Sequence, residues 1–490
     1  MIKRILLGLL AVLFLLAAVV VINTLRQGSR QLNLPPAPSL AVDEAGAAQR
    51  LAGAIRLQTV SSQTDPAQNA AEFRKLHDYI AQQYPKTHAA LKREVVGDFS
   101  LLYTWAGTDA AAKPVLLLAH LDVVPIAPGT EKDWQASPFA GEVKDGFIWG
   151  RGTWDNKGNL IAQLETVELL LANGFKPRQT IYLAFGADEE VGGLRGALQI
   201  SKLLQSRNVK LDFVLDEGLL ITDGILKGLN SPVALIGIAE KGYLSVVLKV
   251  PATPGHSSMP PPKGTSAIAM MSAALRRLED DQLPAGIRGV AHEMFDTIGP
   301  EMGGFNRFAL TNLWLFGPVV QSQLEKGAST HAMLRTTTAL TIVNAGNKDN
   351  VLPGVAEATV NFRMLPGDTV ASMMEHVKAR TGSDRFELYA LPGAAEPSPV
   401  SPTQSASYQL INRTIREVFP STLVAPGLMI GGTDSRHFTA VSDHIYRFSP
   451  VRATSEDLNR FHGTNERIAT ANLAEMVRFY HRLLSQAAKT

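Results

Sequence analysis

The chain of 490 residues is 45% hydrophobic and 19% charged. This is ordinary globular usage rather than disorder, collagen or a repeat array, and it is enough chain for two or three domains. There is no cysteine, so thiolate zinc sites, iron-sulfur clusters, catalytic thiols and disulfides are excluded together, and any metal must sit on His, Asp and Glu. Lys and Arg number 47 against 45 Asp and Glu, a net charge of +2, too small to point to a nucleic-acid partner.

At the N-terminus every residue from Ile5 to Ile22 is apolar or Gly, behind Lys3 and Arg4. The length suits a membrane span better than a cleavable signal, and no small-x-small site follows the alanines. Residues 1–26 are therefore read as a membrane anchor or signal segment. The basic residues before the span place the N-terminus in the cytoplasm and export the rest to a periplasmic or lumenal space, secreted if the segment is cleaved. Residues 27–40, polar and then proline-containing, form a linker.

From about Ala41 to Glu240, helical patterns alternate with apolar runs at 115–119, 180–185, 213–215 and 233–238, which predicts an α/β unit with a mostly parallel sheet. One helix is expected directly after Asp155, with Leu160, Leu164, Val167 and Leu171 on its apolar face and Gly174 as its stop. From Tyr243 the order becomes strand 244–250, helix 265–278, strands 336–343 and 358–364, helix 370–379 and strand 386–391. This is a βαββαβ, ferredoxin-like arrangement, interrupted by an irregular insertion over 279–335. Phe305, Phe308, Trp314 and Phe316 of that insertion are read as core, since aromatics more often pack than line a ligand site. Residues 408–490 return to α/β and end in a helix with Leu473, Met476, Val477, Tyr480 and Leu484 on one face. The expected organisation is a discontinuous catalytic domain, 41–242 and 394–490, with a smaller domain, 243–393, inserted.

Chemistry-bearing residues recur after the predicted strands: His120 and Asp122, Asp155, Glu189 and Glu190, and Asp216. In an open α/β sheet these ends line one crevice. So many carboxylates together would repel severely unless cations neutralised them, which calls for bound metal. Taken singly each signal is weak, because a lone His is more often a loop residue and paired glutamates are usually solvated. Asp122, two residues from His120 on the same side of an extended chain, is placed to orient the imidazole.

The strings His120-Leu121-Asp122, Gly150-Arg151-Gly152-Thr153-Trp154-Asp155-Asn156-Lys157-Gly158, Asp188-Glu189-Glu190, Leu215-Asp216-Glu217-Gly218, Pro254-Gly255-His256-Ser257-Ser258 and His462-Gly463-Thr464-Asn465 together resemble the zinc peptidase family that contains carboxypeptidase S, glutamate carboxypeptidase and aminoacylase. The likeness runs from about Ala47 to the C-terminus. It implies two zinc ions, with Mn²⁺ or Co²⁺ able to occupy the same ligands. Asp155 would bridge them, His120 and Asp216 would complete one site, and Glu190 and His462 the other. It further implies Glu189 as general base, His256 as an oxyanion donor acting across a homodimer interface, Arg363 as the substrate-carboxylate ligand, and Asn350 and Gly432 as helpers. A cis peptide after Asp155 is implied as well. Asp216, the N-terminal segment and the long insertion look closest to carboxypeptidase S and the N-fatty-acyl-amino-acid hydrolases.

The resulting expectation is a metallopeptidase that cleaves a peptide or N-acyl-amino-acid amide next to a free carboxylate. A dipeptidase, aminopeptidase or aminoacylase of the same family is the nearest alternative, and a non-catalytic metal-binding scaffold the alternative from another class. His77, His88, His292, His331, His376, His437, His444 and His481 match no ligand string and are read as surface or core, with His437 the strongest exception.

Overall fold

Continuous apolar runs can be buried on both faces of a sheet only where helices cover both sides, and the run at 115–120 does this. In the computed structural model, which describes residues 1–226 and 228–487, Val115, Leu117 and Ala119 of the strand Val115–His120 share one core with Leu160, Leu164 and Val167 of the helix Lys157–Ala172 and with Leu473 and Val477 of Thr470–Ala487. Leu116 and Leu118 point the other way, into a second core with Ala197, Ile200 and Leu204 of the helix Ala197–Ser206. This is the period-two alternation of a strand.

The large sheet has eight strands in the order Lys92–Val96, Ser100–Trp105, Ile181–Gly186, Val115–His120, Phe213–Thr222, Ile445–Ala453, Val233–Glu240, Leu423–Met429. It is mixed, with parallel pairing at its centre and between Val233–Glu240 and Leu423–Met429. Ile181–Gly186, Val115–His120, Phe213–Thr222 and Ile445–Ala453 run parallel at the centre. Lys92–Val96 and Ser100–Trp105 form an antiparallel hairpin at one edge, and Ile221 and Thr222 pair antiparallel with Ala234 and Val233 near the other. Short connections permit only antiparallel pairing; the turn after Val96 is tight enough to put Gly97 at φ 63°.

The second sheet has four strands, Thr337–Ala345, Val355–Met364, Gly242–Pro251 and Glu387–Ala390, in that order and all antiparallel. The helices Ala267–Asp280 and Val370–Thr381 share a core with it through Met271, Ala274, Met373 and Val377. This is the βαββαβ order expected from the sequence. The insertion, however, is helical rather than irregular: Gly289–Ile298, Gly304–Thr311, Leu313–Leu324 and Ala328–Leu334. Val290, Ala291, Met294, Phe295 and Ile298 are the buried residues of the first of these helices, and its apolar face packs with Ala425 of the large sheet; the short elements and intervening glycines hide this periodicity. Phe305, Phe308 and Trp314 are exposed, so the reading of these aromatics as core is corrected as well. Lys227 and the last three residues of the 394–490 segment lie outside the described residues.

The helix Ile2–Arg26 is long and apolar enough to cross a membrane. Only Val20 and Thr24 of it are buried.

Candidate active site

His120 ends its strand opposite Gly186, the last residue of the neighbouring parallel strand, so the loops after both strands open on the same sheet edge. Its Nδ1 lies 2.9 Å from the backbone oxygen of Asp122. A carbonyl only accepts, so Nδ1 carries the hydrogen and the Nε2 lone pair faces inward. There Nε2 meets Asp155 Oδ1 at 3.0 Å and Glu217 Oε1 at 3.2 Å.

The other oxygen of Asp155 faces a second imidazole: Oδ2 is 2.8 Å from His462 Nε2, which is itself 3.3 Å from Glu190 Oε2. Glu190 Oε1 is buried with no hydrogen-bond partner. Imidazoles and carboxylates crowded together, with an orphaned carboxylate oxygen among them, fit a bound cation. Imidazole nitrogens and carboxylate oxygens are the donors that Zn²⁺ or Mn²⁺ accept.

Asp122 does more than orient the imidazole. Its Oδ1 lies 3.3 Å from His120 Nδ1 and accepts the backbone N–H of Glu189 at 3.2 Å, while Oδ2 accepts the N–H of Glu190 at 3.1 Å. One buried carboxylate thus fixes a histidine on one loop and both glutamates on another. The Glu189 side chain lies within reach of His120 and Glu217.

Both oxygens of Asp216 are taken up by backbone N–H groups in this structure. Its Oδ1 accepts from Glu217 N and its Oδ2 from Ser435 N, each at 2.8 Å, whereas Glu217 reaches His120 and receives Asn156 Nδ2. The strand bulges after Asp216, where its pairing jumps from Arg447↔Asp216 to Phe448↔Leu219, and Glu217 in the bulge is the acid that reaches the histidine. The motif Leu215-Asp216-Glu217-Gly218 gives both residue types and does not say which.

Two further residues escaped the sequence reading. Glu466, fully buried, accepts the backbone N–H groups of Gly152, Trp154 and Asp155 at 3.0, 2.9 and 3.2 Å. Its partner Arg151 donates to the carbonyls of His462 and Gly463, both at 3.0 Å. This ion pair therefore ties the loop carrying Asp155 to the loop carrying His462; its only sequence signal was that Glu466 follows His462 by four residues. The peptide between Asp155 and Asn156 is cis.

Charge in the site is set by crowding. Burial, reinforced by Asp155, pushes the Glu190 carboxyl up to about 7 and that of Glu217 up to about 8. Burial, with the charges of Glu217 and Glu190 overcoming His120, drives Glu189 well above the carboxylate range. The bonds of Asp155 and Glu190 push His462 up to about 10. Burial opposes ionisation of Asp155, but His120 and His462 hold its carboxyl below the usual range.

The remaining candidates lie elsewhere. Arg363 sits on the strand Val355–Met364 with its guanidinium 4.7 Å over the Tyr243 ring, and no carboxylate among the described residues pairs with it. Burial depresses its pKa, as does the neighbouring charge of Arg436, and burial brings Lys241, which also feels Arg363, down to about 7. These three cations make a positive corner. Gly432 is beside it; a Cβ there would meet Arg436 Nη1 at 2.7 Å. His256 is exposed in a two-residue strand paired with Val351 and Leu352, its Nδ1 2.8 Å from Ser258 Oγ, and Asn350 accepts the N–H of Ser257 at 3.1 Å. No hydrogen bond among the described residues joins His256 to the carboxylate cluster. His437 packs against the carbonyl of Gly192 at 3.0 Å and is pushed down to about 4 by burial, a packed imidazole rather than a ligand.

A family model described as peptidase family M20/M25/M40 matches residues 116–486. The chain is 40% identical over 501 residues to the probable carboxypeptidase S-like 2 of Dictyostelium discoideum, spanning 100% of this chain and 94% of that one. It is 43% identical over 443 residues to the N-fatty-acyl-amino acid synthase/hydrolase PM20D1 of Xenopus tropicalis, spanning 90% and 85% of the two chains. Among solved structures, the M20 family metallo-carboxypeptidase Sso-CP2 from Sulfolobus solfataricus shares the fold, with a TM-score of 0.67 at 16% identity over 92% of this chain and 100% of that one.

Proposed function

Because the chain belongs to peptidase family M20/M25/M40 and is a metal-dependent hydrolase, we propose that it cleaves the amide bond of a peptide or N-acyl amino acid beside a free carboxylate, using two divalent ions. His120, Asp155 and Glu217 would hold one ion, and Asp155, Glu190 and His462 the other. The observation that carries this reading is one carboxylate, Asp155, whose two oxygens face two different imidazoles at 3.0 and 2.8 Å.

Bound there, such ions polarise a scissile carbonyl and lower the pKa of water. Glu189 is the group left to move the proton: its carboxylate takes it from the attacking water and returns it to the departing amide nitrogen. Asp122 holds Glu189 and His120 in register through the backbone and ring contacts described above. The positive corner of Arg363, Lys241 and Arg436 favours an anionic substrate end over a free amine, with Arg363 supplying a planar fork for the carboxylate and Gly432 leaving room beside it.

His256 would serve the oxyanion of a second copy's site with support from Asn350, which makes a homodimer the active unit. In this reading residues 41–242 and 394–490 are the catalytic domain, 243–393 a lid and dimerisation domain, and Ile2–Arg26 an anchor that leaves the catalytic part on the exported side. The test is hydrolysis of acyl-amino acids and blocked dipeptides by the full chain, with and without chelator and added zinc. Activity that survives chelation and Glu189→Gln together would overturn the proposal.

A further inference from the structure

The insertion carries an apolar surface that the hydrolase chemistry does not use. Leu313–Leu324 opens with Leu, Trp, Leu, Phe, Gly, Pro, Val and Val, yet none of its residues is buried. Trp314 is 58% exposed, Val319 56%, and Phe305 of the preceding helix 64%. Phe305 packs on Phe316 of the next helix with ring centroids 5.6 Å apart, and so much apolar exposure on two neighbouring helices marks an interaction surface.

Its surroundings specify the partner. The junction of the two helices is bolted to the last turns of Ile2–Arg26 by a polar cluster. Asn23 Nδ2 donates to Thr311 O at 2.8 Å and to Asn312 Oδ1 at 3.0 Å, Thr24 and Thr311 hydroxyls meet at 3.0 Å, and Asn312 Nδ2 reaches the carbonyl of Val20 at 3.3 Å. Val20 lies about 3 Å inside the end of the apolar stretch at Ile22, at 1.5 Å rise per residue. The aromatic helices therefore sit at the depth where hydrocarbon gives way to headgroups. Trp314 suits that level: its ring is exposed and its Nε1–H is satisfied by Asn312 Oδ1 at 3.2 Å, one face apolar and one edge polar. Arg307, between Phe305 and Phe308, donates to the carbonyl of Gln27 at 3.2 Å, one residue beyond the end of the N-terminal helix.

We propose that Gly304–Thr311 and Leu313–Leu324 form an interfacial wedge that inserts its aromatic face into the phospholipid headgroup region beside the N-terminal helix, so that the enzyme rests on the bilayer through this face as well as being tethered to it. The inference rests on the anchor reading above. It also accounts for the polar bolts, which would fix the tilt of the catalytic body relative to the membrane.

Trp314 is its own reporter, because the other four tryptophans, Trp105, Trp134, Trp149 and Trp154, are at most 9% exposed. The full chain is reconstituted into phosphatidylcholine–phosphatidylglycerol vesicles whose acyl chains carry bromine at shallow or deep positions. The expected result is a loss of tryptophan emission that is greatest with shallow bromines and disappears in Trp314→Phe. Phe305→Ser with Val319→Ser should reduce that loss while hydrolysis of a short soluble substrate stays unchanged, which shows the variant folded. If the protein stays with the vesicles through a carbonate wash but Trp314 is not quenched, the wedge is overturned and the anchor stands. If the wash strips the protein from the vesicles, the anchor reading falls and the wedge with it.

Discussion

Glu217 Oε1 stands 3.2 Å from His120 Nε2, while its neighbour Asp216 spends both oxygens on backbone N–H groups. The two acids are therefore predicted to fail differently. Glu217→Gln should leave the protein with about one ion per chain and cut kcat by at least ~100-fold, by loss of a ligand. Asp216→Asn should retain the metal and lose about 1–2 kcal/mol of stability from the one N–H group that then faces an amide NH2. Metal analysis and denaturant melts of the two variants check this, and the opposite assignment of metal loss would restore Asp216 as the ligand.

Glu189 hydrogen-bonds through its backbone to Asp122, so its carboxylate can be neutralised without disturbing the fold of its loop. Glu189→Gln should lower kcat by ~10²–10⁴-fold with metal content and KM close to the parent. A normal kcat in a fully loaded variant would remove Glu189 as the proton carrier.

The crowded carboxylates give a signed pH dependence. Glu190 and Glu217 are raised from an ordinary 4.5 to about 7 and about 8, so each adds stability to the metal-free protein that is complete below about pH 4.5 and lost as pH rises through its folded value. His462, raised from 6.5 to about 10, continues the loss at higher pH. Metal must displace these protons, so it binds more tightly as pH rises. Thermal melts between pH 5 and 8 should show the Tm gap between loaded and metal-free protein widening; a constant or narrowing gap contradicts the assignment.

Arg363 rests on Tyr243 with no acidic partner among the described residues. Arg363→Ala should cost about 2 kcal/mol of substrate binding, a roughly 30-fold rise in KM for substrates with a free carboxylate, and should hardly change KM for the corresponding carboxamides. Equal effects on both series would place the carboxylate elsewhere.

The Arg151–Glu466 pair is fully desolvated and ties together the loops of Asp155 and His462. Glu466→Gln leaves a buried guanidinium without its counter-charge, and a loss of about 3 kcal/mol in urea unfolding is expected, with weaker metal binding as its companion. Unchanged stability and affinity would show that the two loops hold themselves.

Which residue types stand after which strands is legible in the chain, because apolar period and turn residues are local properties. His120, Asp122, Asp155 and Glu190 could be singled out that way, as could the βαββαβ order of the second sheet; His462 came only from the resemblance of its motif to the zinc peptidases. Packing of distant segments sets Glu217 rather than Asp216 beside His120, since that depends on a bulge in one strand against its neighbour. It alone paired Arg151 with Glu466, 315 residues apart, and set the aromatics of the insertion outside the core beside the N-terminal helix. Periodicity tells which side of an element is apolar; which neighbour that side meets is fixed only when distant segments pack.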